Sequence, residues 1–134
     1  MSDVWLDANV LLRYLTNDPK EHADKAERLL SRAASGDIKL RVPVVVIAEV
    51  VWVLNSYYKW EGRNVSRDLI ALIAADGLVV EDTDEVAEAL DKMTSQNVSF
   101  VDAYLAAAAR KADAPVASFD RNFRRLDVEW FEPA

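Results

Sequence analysis

The order of residue types along this chain predicts an α/β fold: a three-layer α/β/α sandwich around a central, short-stranded parallel sheet. Three observations carry that expectation. Short apolar runs bounded by turn residues alternate with longer segments of helical length. Strands that alternate with helices pair in parallel and are covered on both faces. The chain has 134 residues, a 51% hydrophobic share and only three Gly, which fits one domain with a substantial core and no linker. A single domain over residues 1–134 is expected.

The elements follow in order. Val4-Trp5-Leu6 reads as a short buried strand and Ala8 to Leu15 as a helix. Pro19 fits the first turn of a second helix running through Ala34, with Gly36 as its stop. Lys39 to Val42 is a short strand, and Pro43 then introduces an apolar run to Tyr58. Periodicity alone permits a buried strand there, but the length of the run favours helix. Val65 to Ala75 is a helix ending at Gly77, Leu78-Val79-Val80 a strand, and Asp84 to Thr94 and Ser99 to Ala112 are helices. Pro115 to Phe119 is a strand, Arg121 to Leu126 a short helix or turn, and Val128 to Phe131 a last strand. Sheets of this type bind ligands at the carboxyl ends of their strands.

Composition narrows the function classes. With no cysteine, disulfides, thiolate metal sites and cysteine nucleophiles are excluded together. The start Met1-Ser2-Asp3 has no basic segment, and the longest apolar stretch, Val42 to Leu54, is interrupted and too short to span a bilayer. The chain therefore reads as soluble and cytoplasmic. Its net charge of −7 is the wrong sign for bulk attraction to nucleic acid. The charge is uneven, however. Asp76, Glu81, Asp82, Asp84, Glu85, Glu88 and Asp91 form an acidic block, whereas Arg110, Lys111, Arg121, Arg124 and Arg125 cluster towards the C-terminus. Such a cluster reads equally as a basic rim for a phosphate backbone or as an ordinary solvated surface.

Four acids interrupt apolar or turn-forming context: Asp7, Glu49, Asp102 and Asp120. Asp7 follows the first strand, where it serves either as a helix N-cap or as a functional acid at the strand's carboxyl end. Glu49 lies among Val45, Val46, Ala48, Val50, Trp52 and Val53. A buried carboxylate there must have a partner or remain protonated; Arg13 or Arg41 is a possible structural partner, and a functional role is the other reading. Ser99-Phe100-Val101-Asp102 has a capping-box pattern, and Asp120 is placed to cap the turn after its strand. Asn9 and Ser118 offer polar side chains beside Asp7 and Asp120. Gathered carboxylates repel one another unless a cation neutralises them, and Mg²⁺ or Mn²⁺ is the cation that prefers such oxygen donors. The joint reading is metal-dependent phosphodiester chemistry. His22 is the one histidine and reads as a surface residue, which removes a His-pair ribonuclease from consideration.

Leu6-Asp7-Ala8-Asn9-Val10-Leu11-Leu12, Glu49-Val50-Val51-Trp52-Val53-Leu54, Phe100-Val101-Asp102-Ala103 and Ser118-Phe119-Asp120-Arg121-Asn122-Phe123 occur in this order and spacing. With these motifs the chain resembles PIN-domain proteins over almost its whole length. It is most similar to the VapC-type toxins of bacterial and archaeal toxin–antitoxin pairs. The resemblance implies Mg²⁺- or Mn²⁺-dependent endoribonuclease activity, a homodimer, an RNA substrate and a cognate antitoxin. It assigns Asp7, Glu49, Asp102 and Asp120 to the catalytic, metal-holding quartet. Asp7 and Asp102 are then direct ligands, Glu49 a ligand directly or through water, and Asp120 orients the attacking water or a second ion. Many members carry a further acid two positions after the last one, where this chain has Asn122. That departure weakens a second-metal site more than the first.

Three other readings compete. A haloacid-dehalogenase-like phosphatase needs an acid where Asn9 stands, and a ribonuclease-H-like nuclease opens on an antiparallel hairpin rather than a strand feeding a helix. The rival from another class is a non-catalytic module of the same fold that captures RNA or a protein partner. Apolar residues of the Trp52 to Trp60 segment, with Tyr57, Tyr58 and Trp60 at its end, are candidates for a dimer or antitoxin surface.

Overall fold

The computed structural model describes residues 2–134, so Met1 lies outside the described residues. Among those described, six α-helices and a central parallel sheet form an arrangement consistent with the predicted α/β/α class. The chain divides into two compact units, Met1–Asp82 and Thr83–Ala134.

The first unit runs β1 (Ser2–Trp5), α1 (Ala8–Thr16), α2 (Lys20–Ala34), β2 (Ile38–Val42), α3 (Val44–Ser56), α4 (Gly62–Ile73) and β3 (Leu78–Val80). Strand β2 is the middle of a parallel three-stranded sheet, with Trp5 opposite Arg41 and Val42 opposite Val80. Along β2 the period of two is plain, since Ile38, Leu40 and Val42 are buried while Lys39 is exposed. Leu6 leaves the β1 ladder earlier than predicted, yet it is buried and its N–H still donates to the Arg41 carbonyl at 3.0 Å.

The apolar run after Pro43 is the helix its length favoured. Val, Ile and Trp are modest helix formers, so packing decides. Ile47, Val50, Val51 and Leu54, spaced as one helical face, are buried. Gly77 opens β3 with φ +87, and a Cβ there would collide with the Ala33 backbone at the end of α2. Only glycine meets both demands. Helix α4 starts at Gly62 rather than Val65, because the Glu61 carbonyl accepts from the N–H groups of both Asn64 and Val65, at 3.0 and 3.1 Å.

The second unit runs α5 (Thr83–Ser95), α6 (Phe100–Lys111), β4 (Val116–Ala117), a 3-10 turn (Arg121–Arg125) and β5 (Trp130–Phe131). Helices α5 and α6 pack through small and apolar residues, with Val86, Ala89, Leu90, Ala103, Ala106 and Ala107 all buried. Strands β4 and β5 pair in parallel but are shorter than the sequence predicts, each a two-residue ladder. The apolar residue at the end of the expected Pro115 to Phe119 strand shows why the ladder stops: Phe119 is 74% exposed and packs into no core. Among the described residues no helix is long and apolar enough to cross a membrane.

Candidate active site

In the first unit, Asp7 and Glu49 present carboxylates that no group among the described residues occupies. Asp7 takes the N-cap position of α1, with extended φ −81 and ψ 147, but its side chain makes no cap hydrogen bond. The Val10 N–H is met instead by the Asp7 backbone carbonyl at 3.1 Å. The local backbone therefore does not require the carboxylate. Both β1 and β2 end towards the same edge because they are parallel, so Asp7 follows one carboxyl end and α3 starts at the other. Glu49 lies in the second turn of α3.

The expectation that Glu49 is buried is overturned, and neither Arg13 nor Arg41, its possible structural partners, pairs with it. Glu49 is exposed, because it shares the outward face of α3 with Val45 and Trp52, which are 73% and 67% exposed. Arg41 is held instead by Asp3 at 2.9 Å. Arg13 donates from Nη1 to the Asp18 carbonyl at 3.3 Å and to the Tyr58 hydroxyl at 3.4 Å.

In the second unit the acids are more restrained. Ser99 caps α6 by accepting from the Asp102 N–H at 3.1 Å. The reciprocal bond of a capping box is missing, so the half-buried Asp102 carboxylate accepts no hydrogen bond among the described residues. Asp120 does act as a cap. Its Oδ1 accepts from the Asn122 N–H at 2.8 Å, and its Oδ2 has a longer contact of 3.5 Å with the Asn122 amide nitrogen. Arg125 donates to the Asn122 Oδ1. Ser118 is anchored through its N–H to the Phe131 carbonyl at 3.0 Å, and its hydroxyl accepts from the Asp120 N–H at 2.9 Å. Ser118 thus positions the Asp120 backbone rather than its carboxylate.

In each unit the donor chemistry is of the kind a hard divalent cation takes: Asp7 and Glu49 in the first and Asp102 in the second keep carboxylate lone pairs free among the described residues. Among the described residues, however, no three His, Cys, Asp or Glu side chains are drawn into a ready-made metal cluster.

Two of the five basic residues clustered towards the C-terminus are neutralised by carboxylates. Arg110 pairs with Glu88 at 2.7 Å and also donates to the carbonyls of Leu126 and Asp127, while Lys111 pairs with the buried Glu85 at 2.7 Å. These same bonds absorb part of the acidic block. Glu81 is absorbed differently, accepting from the Val44 N–H at the start of α3 at 3.0 Å.

Sequence reasoning missed the surroundings of Glu49. A cavity of about 450 Å³ in the first unit is lined by Asn9, Arg13, Asp18, Glu49, Tyr57 and Tyr58, among others. The available signal was the spacing of Asn9 and Arg13, four apart on α1 and hence on one face.

A short strand feeding an acid into a helix, acids at later helix and strand ends, and a parallel sheet define a class of small α/β protein. The PIN domain model matches residues 4–129, and the chain belongs to the PIN-domain family. A VapC ribonuclease of Aquifex aeolicus (strain VF5) is 28% identical to it over 129 residues, 96% of this chain and 95% of that relative.

Proposed function

We propose that this chain is a divalent-metal-dependent endoribonuclease, the toxin of a toxin–antitoxin pair, working as a single PIN-like domain over residues 1–134. The carrying observation is that the Asp7 and Glu49 carboxylates are exposed and make no hydrogen bond or ion pair among the described residues. Family membership and the likeness to a VapC ribonuclease support the same reading.

Asp7, Glu49 and Asp102 would hold Mg²⁺ or Mn²⁺ through carboxylate oxygens. The bound ion supplies a Lewis acid that lowers the pKa of water and offsets charge on phosphate oxygens. Asp120 is fixed by the Asn122 N–H, and the proposal gives it the orientation of the attacking water through its second oxygen. Asn9, two residues after Asp7, and Ser118, which fixes the Asp120 backbone, are proposed to support the acids without replacing them. The Trp52 to Trp60 segment, with Trp52 exposed on α3, is the surface proposed for a second copy of the chain or for the antitoxin. The proposed setting is the cytoplasm.

The test is cleavage of total bacterial RNA by the purified, antitoxin-free chain with Mg²⁺ or Mn²⁺, in parallel with EDTA and with the Asp102→Asn protein. New 5′ ends are mapped by sequencing. Cuts that require metal and vanish in the variant are expected. Folded protein that makes no cuts at any metal concentration would move the assignment to a non-catalytic binding module.

A further inference from the structure

We propose that the cavity beside Glu49 is a subsite for one unpaired base of single-stranded RNA, stacked on Tyr57, with Arg13 holding an adjoining phosphate. The proposal rests on the nuclease reading and deepens it, since Glu49 lines the same cavity.

Three observations carry it. The first is size. At about 450 Å³ the cavity falls within the range of roughly 300–1,000 Å³ usual for small-ligand sites. The second is an exposed aromatic with no core to fill. Tyr57 is 76% exposed, at the C-terminal end of α3. Its ring meets that of Tyr58 edge-to-face, with centroids 5.0 Å apart and planes at 79°, and its 76% exposure leaves much of the ring open. An open aromatic face is what single-stranded nucleic acid uses, because every base has a π-face to stack.

The third observation is an available cation. Arg13 has no carboxylate ion partner among the described residues. Both of its hydrogen bonds leave from Nη1, so Nε and Nη2 keep unused donors. Those two bonds, to the Asp18 carbonyl and the Tyr58 hydroxyl, fix the guanidinium at the cavity wall. In a chain of net charge −7, a guanidinium without an ion partner that lines the same cavity as an exposed aromatic ring suits a nucleotide better than an apolar peptide. Asn9 and Asp18 also line the cavity and are residue types that can pair with the hydrogen-bonding edge of a base.

The test uses the full chain carrying Asp102→Asn, so that RNA is not cut, and short fluorescein-labelled single-stranded RNAs of each base, read by anisotropy. Tyr57→Ala is expected to weaken binding about tenfold, within the range that loss of one stacked base produces, while Tyr57→Phe stays within about twofold. Arg13→Met is expected to weaken binding and to lower the slope of log affinity against log salt by about 0.7, the contribution of one phosphate contact on a single strand. A purely structural role for Arg13 would leave that slope unchanged.

Affinity untouched by Tyr57→Ala, or lost equally in Tyr57→Phe, overturns the proposal. So does a Tyr57→Ala protein altered only in self-association or antitoxin capture, which would place Tyr57 in a protein interface. Metal-dependent cleavage by the unaltered chain is measured alongside. Cleavage with Tyr57-independent RNA binding sinks the subsite and keeps the nuclease. Tyr57-dependent binding without cleavage keeps the subsite and sinks the nuclease.

Discussion

The two acids of the first unit and the two of the second are the same kind of residue in similar sequence settings, yet the backbone treats them differently. Asp7 and Glu49 are spectators of their own helices: Asp7 occupies a cap position without its side chain capping, and Glu49 projects from the exposed face of α3. Asp102 and Asp120 sit where local structure depends on them or their neighbours, through the Ser99 cap and the Asn122 bond. A carboxylate that stabilises nothing can be replaced at little thermodynamic cost, so its oxygens are free to serve a ligand. One that caps a turn already has an explanation, and any catalytic role is added to it.

The sharpest way to break this contrast is to neutralise the first pair. In Asp7→Asn and Glu49→Gln the shape is kept and only charge is removed. Cleavage is expected to fall by on the order of 10²–10³ each, comparable to loss of one preorganised electrostatic group. Stability is expected to stay within about 0.5 kcal/mol, as for surface changes that touch no partner. Thermal melts beside a metal-dependent cleavage assay read both. A large drop in melting temperature would show that the carboxylates do hold the fold, and the contrast would fail.

Asp120 gives an intermediate case in which two roles can be separated at one position. Asp120→Ala removes both the cap and the charge, and is expected to cost about 1 kcal/mol of stability together with most of the cleavage. Asp120→Asn keeps a good capping side chain while removing the charge. Its stability is expected to match the unaltered protein while cleavage still falls. If Asn restores cleavage along with stability, Asp120 is a cap and nothing more.

Much of this was legible in the chain. The helix after Pro43, the stops at Gly36 and Gly77, and the order of strands and helices follow from run length and turn chemistry, which are local. The Ser99 cap was legible for the same reason, since its donor is only three residues away. The burial of Glu49 was misjudged because α3 is apolar on both faces. With Val45 and Trp52 exposed, periodicity no longer tells inside from outside. The neutralisation of Arg110 and Lys111 was invisible because their partners Glu88 and Glu85 lie on another helix. The Glu49 cavity was missed likewise: its wall joins α1 to the end of α3, and the Arg13 to Tyr58 bond spans 45 positions.

The smallest effect on chemistry is expected at Ser99, and it bears on whether restraint in the second unit serves catalysis or only folding. Ser99→Ala leaves the Asp102 N–H without its acceptor and is expected to cost about 1 kcal/mol, the usual loss for an N-cap. The Asp102 carboxylate itself makes no bond to Ser99, so its charge and donor oxygens are unchanged. Cleavage per folded molecule, measured well below the melting temperature, is then expected to fall by less than about tenfold, far short of the loss in Asp102→Asn. Ser99→Asp, which keeps a capping oxygen, is expected to recover the stability. A loss of cleavage in Ser99→Ala as large as in Asp102→Asn would mean that α6 must be capped to aim Asp102, and the restraint would then belong to the catalytic apparatus.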